Sequence, residues 1–395
     1  MLQVKEYIIG FSEQEVVIYG GTIWGKAVCR ELLDHGIIIK AILDRYQYGD
    51  VIEGLVVEKP EHIRNYPNIP MIICGTRGFR SMCDFAEENG HDWVYHAGSI
   101  IQGFDWKSIH TWDAYSKEEM LSKYMKYVKN YIGEDIDSIE LGEFNVIVTD
   151  LCNLKCDMCL ARCADVKNGA LYEMNELIDS FKKFLSSISC LYKIIICGGE
   201  PLIHPELHKL IRFACNEPKI KRIELLTNAT IIPRGENLRS LRNKKVRLVM
   251  DDYDLPQQKF SEIKRICEQE GVLYYIKKLE YWHDLSLLDD QKYTVEELHR
   301  LYRECTESQN YTLVDNKIVN CYRTYVDRQC GDWPKENNDY YIDLNDYSIG
   351  DEKLKKRMFD LMSIEYIERC KFCVGTRGEN AKKIPVGIQR EGVSC

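Results

Sequence analysis

A short loop of three cysteines constrains this chain more than any other feature. Cys152, Cys156 and Cys159 follow a C-x3-C-x2-C spacing, directly after the apolar β-run Phe144–Val148. Three thiolates on one loop can each hold one iron of a cubane [4Fe–4S] cluster, which leaves the fourth iron without a protein ligand. An open metal position invites a substrate or cofactor to chelate there. The other reading is structural zinc, which needs four closed ligands; Cys163 would have to complete it, since the loop has no histidine nearby.

About forty residues later, Lys193–Cys197 forms a second apolar β-run that ends in Gly198-Gly199-Glu200-Pro201. Two glycines let backbone come close to a ligand at the strand end, and a glutamate there can receive an ammonium group. Further β-runs follow at Arg222–Leu226, Val246–Asp251 and Val272–Lys277, separated by helical patterns at Pro205–Asn216, Gln257–Gln269 and Thr294–Arg303. Strand–helix repeats of this length predict a parallel sheet curling toward a barrel, with ligands at the strand C-termini. Every motif picked out above falls at such an end.

The 395 residues carry seventeen cysteines. A chain this long has no need of a disulfide framework, so its cysteines read as buried hydrophobes or metal ligands. Cys29, Cys74, Cys83, Cys190, Cys215 and Cys267 stand singly in apolar or helical patterns and are expected in the core. Cys305, Cys321, Cys330, Cys370, Cys373 and Cys395 cluster toward the end. Cys370 and Cys373 form a C-x2-C pair after a helix expected over Leu354–Arg369. The segment VDNKIVNC, ending at Cys321, reads as a hairpin turning at Asn316.

The N-terminal third reads as a separate unit. A β-run at Val16–Tyr19, a glycine turn, a helix from Gly25 to His35 and a β-run at Ile37–Leu43 make a βαβ unit ending at Asp44. Gly20, Gly25 and Asp44 are the candidate nucleotide-binding residues of a dinucleotide layout, but Thr22 stands where the second motif glycine belongs. Nucleotide binding and a structural or docking role both remain open. The pattern continues through Ile69–Cys74 and Gly75-Thr76-Arg77-Gly78, and Lys117–Tyr131 is expected as a helix linking the two halves. The net charge of −9 gives no basic surface for nucleic acid or an anionic membrane. No apolar run reaches the roughly 18 residues of a membrane span, and the N-terminus lacks a signal-peptide layout. A cytoplasmic protein is expected.

The C-x3-C-x2-C loop after a first strand, with GGEP after the second, resembles the radical S-adenosylmethionine (SAM) enzymes. That resemblance implies a cluster on Cys152, Cys156 and Cys159 whose open iron chelates SAM, and reductive cleavage of SAM to a 5′-deoxyadenosyl radical. It implies that Gly198, Gly199 and Glu200 hold the methionine amino group and that the backbone at Met158 faces adenine. Asn228 and Asp251, ending the next two strands, become ribose or substrate contacts. The late cysteines are similar to the "twitch" form of a SPASM-type auxiliary domain, which implies a second [4Fe–4S] cluster on Cys305, Cys321, Cys370 and Cys373, with zinc as the alternative. The N-terminal third resembles small Rossmann-like domains attached to enzymes of bacterial surface-sugar biosynthesis.

The expected fold is therefore α/β: a Rossmann-like domain over 1–110, a helical linker over 111–140, a partial (β/α)6 barrel over 141–290 and a twitch-like auxiliary domain over 291–395. Aminocyclitol dehydrogenases are the nearest resemblance. They imply hydrogen abstraction from a carbohydrate, cyclitol or nucleotide-sugar, giving oxidation or epimerisation; modification of a ribosomally made peptide is the alternative. His283, Asp284 and Cys330 are the catalytic candidates, and Trp282, Arg323 and Tyr325 the substrate-binding candidates. A low-potential donor such as flavodoxin or ferredoxin is implied as electron partner.

Overall fold

The computed structural model describes the chain except residues 1, 11, 13, 46, 77, 107–116, 133–138, 168, 334–340, 363, 378, 379 and 391–395. Arg77, Cys395 and parts of the expected linker lie outside the described residues. The chain divides into two compact units, Met1–Asp135 and Ile136–Cys395. Among the described residues, no helix is long and apolar enough to cross a membrane.

The first unit holds β1 (Val4–Glu6), β2 (Glu15–Tyr19), α1 (Ile23–Asp34), β3 (Ile38–Leu43), β4 (Val51–Ile52) and β5 (Leu55–Glu58). It continues with β6 (Met71–Ile73), α2 (Phe79–Glu88), β7 (Val94–His96), α3 (Gly98–Gly103) and α4 (Lys117–Ile132). Its sheet runs β1-β7-β6-β2-β3-β5-β4. All neighbours are parallel except the β4–β5 hairpin. The order reverses about β2, so the glycine turn after β2 sits at the switch point of a doubly wound sheet. Helix α4 is not the linker that periodicity suggests. Tyr124 and Tyr131 are buried in the core of this unit, and the Tyr124 hydroxyl accepts from Ala97 N at 2.8 Å.

Gly25 shows why the turn needs glycine: a Cβ there would lie 1.8 Å from Gly20 O. Asp44, however, is turned inward. Its two oxygens accept from Gly21 N at 2.7 Å and Gln47 N at 3.0 Å, so the carboxylate ties its own loop to the glycine turn.

The second unit begins with β8 (Glu140–Ile147), α5 (Met174–Ser186), β9 (Cys190–Cys197), α6 (Leu207–Asn216), β10 (Ile220–Thr227), α7 (Gly235–Ser240) and β11 (Val246–Asp252). Next come α8 (Phe260–Glu270), β12 (Tyr274–Lys278), β13 (Trp282–His283), α9 (Val295–Glu304), β14 (Thr312–Val314) and β15 (Lys317–Val319). The last elements are α10 (Tyr322–Cys330), β16 (Tyr341–Asp343), α11 (Glu352–Met362) and β17 (Lys383–Ile384). The main sheet runs β12-β11-β10-β9-β8-β14-β15-β16, and β12 through β14 in that order are parallel. Six parallel strands make the expected partial barrel.

Two expectations change. The late hairpin β14–β15 joins the same sheet beside β8, so the region over 291–395 is continuous with the barrel sheet. Its turn places both Asp315 and Asn316 at positive φ, as a two-residue hairpin turn demands. The helix expected up to Arg369 stops at Met362, because Ile367 packs with Tyr302 and Val314 and not with the Leu354/Met358/Leu361 face of α11. Cys370 then sits in a 3-10 turn, Glu368–Phe372.

The core of this unit is built on stacked rings, Phe144 against Phe184 at 3.9 Å with Phe181 beside them. Gly25→Ala tests whether the two units stand independently. Overpacking against Gly20 O should lower the stability of the first unit by at least about 2 kcal/mol. The check is a thermal melt, with iron uptake by the Cys152 loop unchanged.

Candidate metal centre

β8 and β9 run in register from Glu140↔Cys190 to Ile147↔Cys197, so their C-terminal ends finish level. The cysteine loop leaves β8 there and the Gly-Gly-Glu turn leaves β9. Gly199 N donates to Thr149 O at 2.8 Å and Glu200 N to Leu151 O at 2.9 Å. A Cβ at Gly198 would lie 2.4 Å from Thr149 O, and one at Gly199 2.0 Å from Leu151 O. The glycines thus let the turn lie against the cysteine loop itself.

Glu200 is fully buried and accepts from Leu202 N at 3.0 Å, Thr227 Oγ1 at 2.9 Å and Asn228 N at 2.8 Å. Burial pushes its carboxyl up to about 7 against the pull of those donors. Asn228 is committed to the same junction. Its Nδ2 donates to Asn153 Oδ1 at 3.1 Å and lies 3.7 Å from Cys152 Sγ, while its Oδ1 accepts from Thr230 N at 3.0 Å. Sequence reasoning missed Thr227, which carries no motif of its own.

The three cysteine sulfurs are met by donors. Cys152 Sγ accepts from Leu154 N at 3.4 Å, and Cys156 Sγ from Gln389 Nε2 at 3.0 Å. The Cys163 thiol bonds to both Cys152 and Cys159; with backbone N–H groups it brings Cys159 down to about 6. Donors aimed at sulfur are what an anionic iron–sulfur cluster requires, so the residues fit the group. Among the described residues no three or more His, Cys, Asp or Glu side chains converge on a single metal ion. Met158 adopts φ +55°, and its sulfur lies 3.8 Å from Ser286 Oγ.

At the end of β11, Asp251 is buried with Oδ1 unpartnered, and Tyr253 Oη lies 3.4 Å from Oδ2. Burial pushes Asp251 up to about 6, with Lys277 opposing. Trp282 meets the Tyr253 ring edge-on at 5.4 Å. β13 pairs with β17, setting His283 opposite Lys383. Burial, then Lys383 and Arg377, hold His283 below its usual range, and its Nδ1 is buried without a partner. Asp284 accepts from Ser286 N at 2.9 Å; Lys382 and Arg323 are the cations near it.

The other candidates go elsewhere. Arg323 donates from Nε to Asp327 Oδ1 at 2.9 Å and from Nη1 to Cys159 O at 3.2 Å, so it braces the cysteine loop. Tyr325 is buried in the apolar cluster with Val314 and Val319. Cys330 ends α10 near Arg162 and Asp165.

Cys305, Cys321, Cys370 and Cys373 line one small cavity, with Tyr302 and Arg369. Here too donors face sulfur: Gly375 N lies 3.3 Å from Cys373 Sγ and Thr376 Oγ1 3.7 Å from Cys305 Sγ. Arg369 was invisible to motif reading. It donates from Nη2 to Asp327 Oδ2 at 2.6 Å and to Leu285 O at 2.6 Å.

Buried Glu200 gives a pH signature in the metal-free protein. Below about 4.5 both folded and unfolded states are protonated. As pH rises, the unfolded chain ionises first, so stability falls until the pH passes about 7. The loss should total about 3 kcal/mol. Glu200→Gln should flatten this part of the profile, read from urea midpoints between pH 4 and 8.

Residues 146–300 match the model of the radical SAM superfamily. A GTP 3′,8-cyclase of Clostridium perfringens (strain SM101 / Type A) is 30% identical over 154 residues, covering 38% of this chain and 45% of the relative. A probable GTP 3′,8-cyclase of Methanococcus maripaludis (strain C6 / ATCC BAA-1332) is 31% identical over 127 residues, 32% of this chain and 42% of the relative. The chain thus spans under half the length of these curated relatives. The structure of native anSMEcpe with bound AdoMet shares 15% identity, with a TM-score of 0.37 over 59% of this chain and 88% of that one. These matches correct the expectation of a carbohydrate, cyclitol or nucleotide-sugar dehydrogenase or epimerase, and with it the peptide alternative, because the curated relatives are named for GTP. Sequence motifs, strand-end geometry and family match agree on a radical SAM domain over residues 146–300, with SAM and a [4Fe–4S] cluster as cofactors.

Proposed function

We propose that this enzyme acts on a phosphate-bearing purine nucleotide, the substrate class named for its curated relatives, and that Cys305, Cys321, Cys370 and Cys373 hold an auxiliary [4Fe–4S] cluster. The observation that carries the substrate class is the basic rim around β13. Arg377 and Lys383 lie near His283, and Lys382 near Asp284, on a chain whose overall charge is negative. Cations gathered in one place on an acidic protein suit an anionic small molecule.

In this reading Cys152, Cys156 and Cys159 ligate the cluster that serves SAM. Glu200 receives the SAM ammonium, the backbone at Met158 faces adenine, and Asn228 and Asp251 border the ribose. SAM and the cluster together supply one-electron, hydrogen-abstracting chemistry when bound. The protein's own part is to exclude water and hold the substrate. Neutral His283 offers an unpartnered ring nitrogen, and the Tyr253–Trp282 pair offers an apolar wall. The auxiliary cluster is supported by four thiols around one cavity. A low-potential flavodoxin or ferredoxin is the proposed electron source.

Binding separates substrate classes directly. GTP should bind the reconstituted protein more tightly than guanosine, measured by equilibrium dialysis without oxygen. The Arg377→Gln/Lys383→Gln double variant should weaken GTP at least about tenfold, or 1.4 kcal/mol, and leave guanosine nearly unchanged. Equal affinity for GTP and guanosine in the wild type would sink the nucleotide reading. For the auxiliary site, a Cys152→Ala/Cys156→Ala/Cys159→Ala triple variant should keep about four irons, as one [4Fe–4S] centre requires. Retention of none overturns it.

A further inference from the structure

The last described stretch of the chain lies across the cysteine loop as an added strand. Cys156 and Gln389 form an antiparallel bridge. Asp157 N donates to Ile388 O at 2.6 Å, and Arg390 N donates to Lys155 O at 3.0 Å. The Arg390 guanidinium then pairs with Asp165 at 2.5 Å and Asp157 at 3.4 Å. At Gly387, φ is +65° and a Cβ would lie 2.8 Å from Tyr253 Cβ, so the segment passes tightly over the residue beside Asp251. These contacts join segments far apart in the sequence. The tail also lies beyond the 146–300 match, so no family resemblance assigns it.

Gln389 is the informative residue. Its Oε1 accepts from Lys155 N at 3.0 Å, which fixes the amide so that Nε2 faces Cys156 Sγ at 3.0 Å and Gly387 O at 2.7 Å. Flipping the amide would set donor against donor at Lys155. An N–H directed at a ligating sulfur draws negative charge off the cluster. It favours the reduced form, which carries one more negative charge, and so raises the reduction potential.

We propose that the C-terminal segment is a working part of the radical SAM cluster site, in which Gln389 is a positioning residue that tunes the cluster's potential through Cys156. The inference rests on the cluster being held by Cys152, Cys156 and Cys159. Iron content and the reduced-cluster resonance of the wild type report on that premise separately.

The test is an anaerobic redox titration of the reconstituted full-length chain, followed by electron paramagnetic resonance. Gln389→Leu should carry the same iron as the wild type and titrate at a more negative midpoint. After exchange into deuterated buffer it should also lack one deuteron hyperfine coupling that the wild type shows. Gln389→Glu keeps the acceptor for Lys155 N and loses the donor, so it should shift the same way. It also serves if the leucine variant fails to load iron. A wild-type midpoint in either loaded variant, or an unchanged set of deuteron couplings, overturns the proposal. Failure of both variants to load iron also overturns tuning, and leaves Gln389 a residue of loop assembly. If the wild type itself holds no cluster, the premise has failed, and not the role of the tail.

Discussion

The level ending of β8, β9 and β10 is the constraint on which the site depends. Parallel strands in register deliver their C-terminal loops to one plane, and a single buried carboxylate ties those loops together. Glu200 leaves β9, binds Thr227 and Asn228 at the end of β10, and through its backbone N–H rests on Leu151 of the cysteine loop. Burying a carboxylate without a cation raises its pKa, which shows as the upward shift of Glu200. In the proposed reading the SAM ammonium supplies the missing counter-charge. The junction is assembled at some cost to the empty protein, a cost that such a ligand would relieve.

A second knot of charge holds the cysteine loop from behind. Asp327, fully buried, accepts from Arg323 Nε at 2.9 Å, Arg369 Nη2 at 2.6 Å and Arg162 Nη1 at 3.0 Å. Arg162 belongs to the cysteine loop, Arg323 stands at the start of α10 just after Cys321, and Arg369 adjoins Cys370. One carboxylate thus connects the loop of the first cysteine group to two of the three segments that carry the second. Removing a partner from so buried a network typically costs about 3–5 kcal/mol, because charge is left uncompensated. The two groups of cysteines are held at a set separation by side chains and not by a shared loop.

Much of this was legible because it is local. The C-x3-C-x2-C spacing, Gly-Gly-Glu and the strand–helix alternation are short-range patterns, and strand geometry carries them straight into place. The late cysteines were legible as a group, since Cys305, Cys321, Cys370 and Cys373 do line one cavity. What was not legible was what depends on distant partners. Arg323 and Tyr325 follow Cys321 and invite a substrate role, yet Asp327 and the Val314/Val319 cluster claim them. Asp44 has the right distance from the glycine turn, yet backbone N–H groups claim both oxygens. Lys117–Ile132 has linker composition by its charges, while Tyr124 and Tyr131 make it core. Periodicity tells which face of a helix is apolar but not which body that face joins.

The same division runs through the chemistry of the sulfurs. Ligands can be read from a spacing, but the donors that surround them come from elsewhere: Asn228 beside Cys152, Gln389 on Cys156, Thr376 beside Cys305. None of these residues lies in a cysteine motif, and each depends on a tertiary contact for its position. Cluster type follows from the number and spacing of thiolates, whereas potential follows from net charge, donors to sulfur and exclusion of solvent. Two chains with identical cysteine spacing can therefore hold the same cluster and run it at different potentials. In this chain the groups placed to make that adjustment stand on a strand end, a C-terminal segment and a hydroxyl that a motif search passes over.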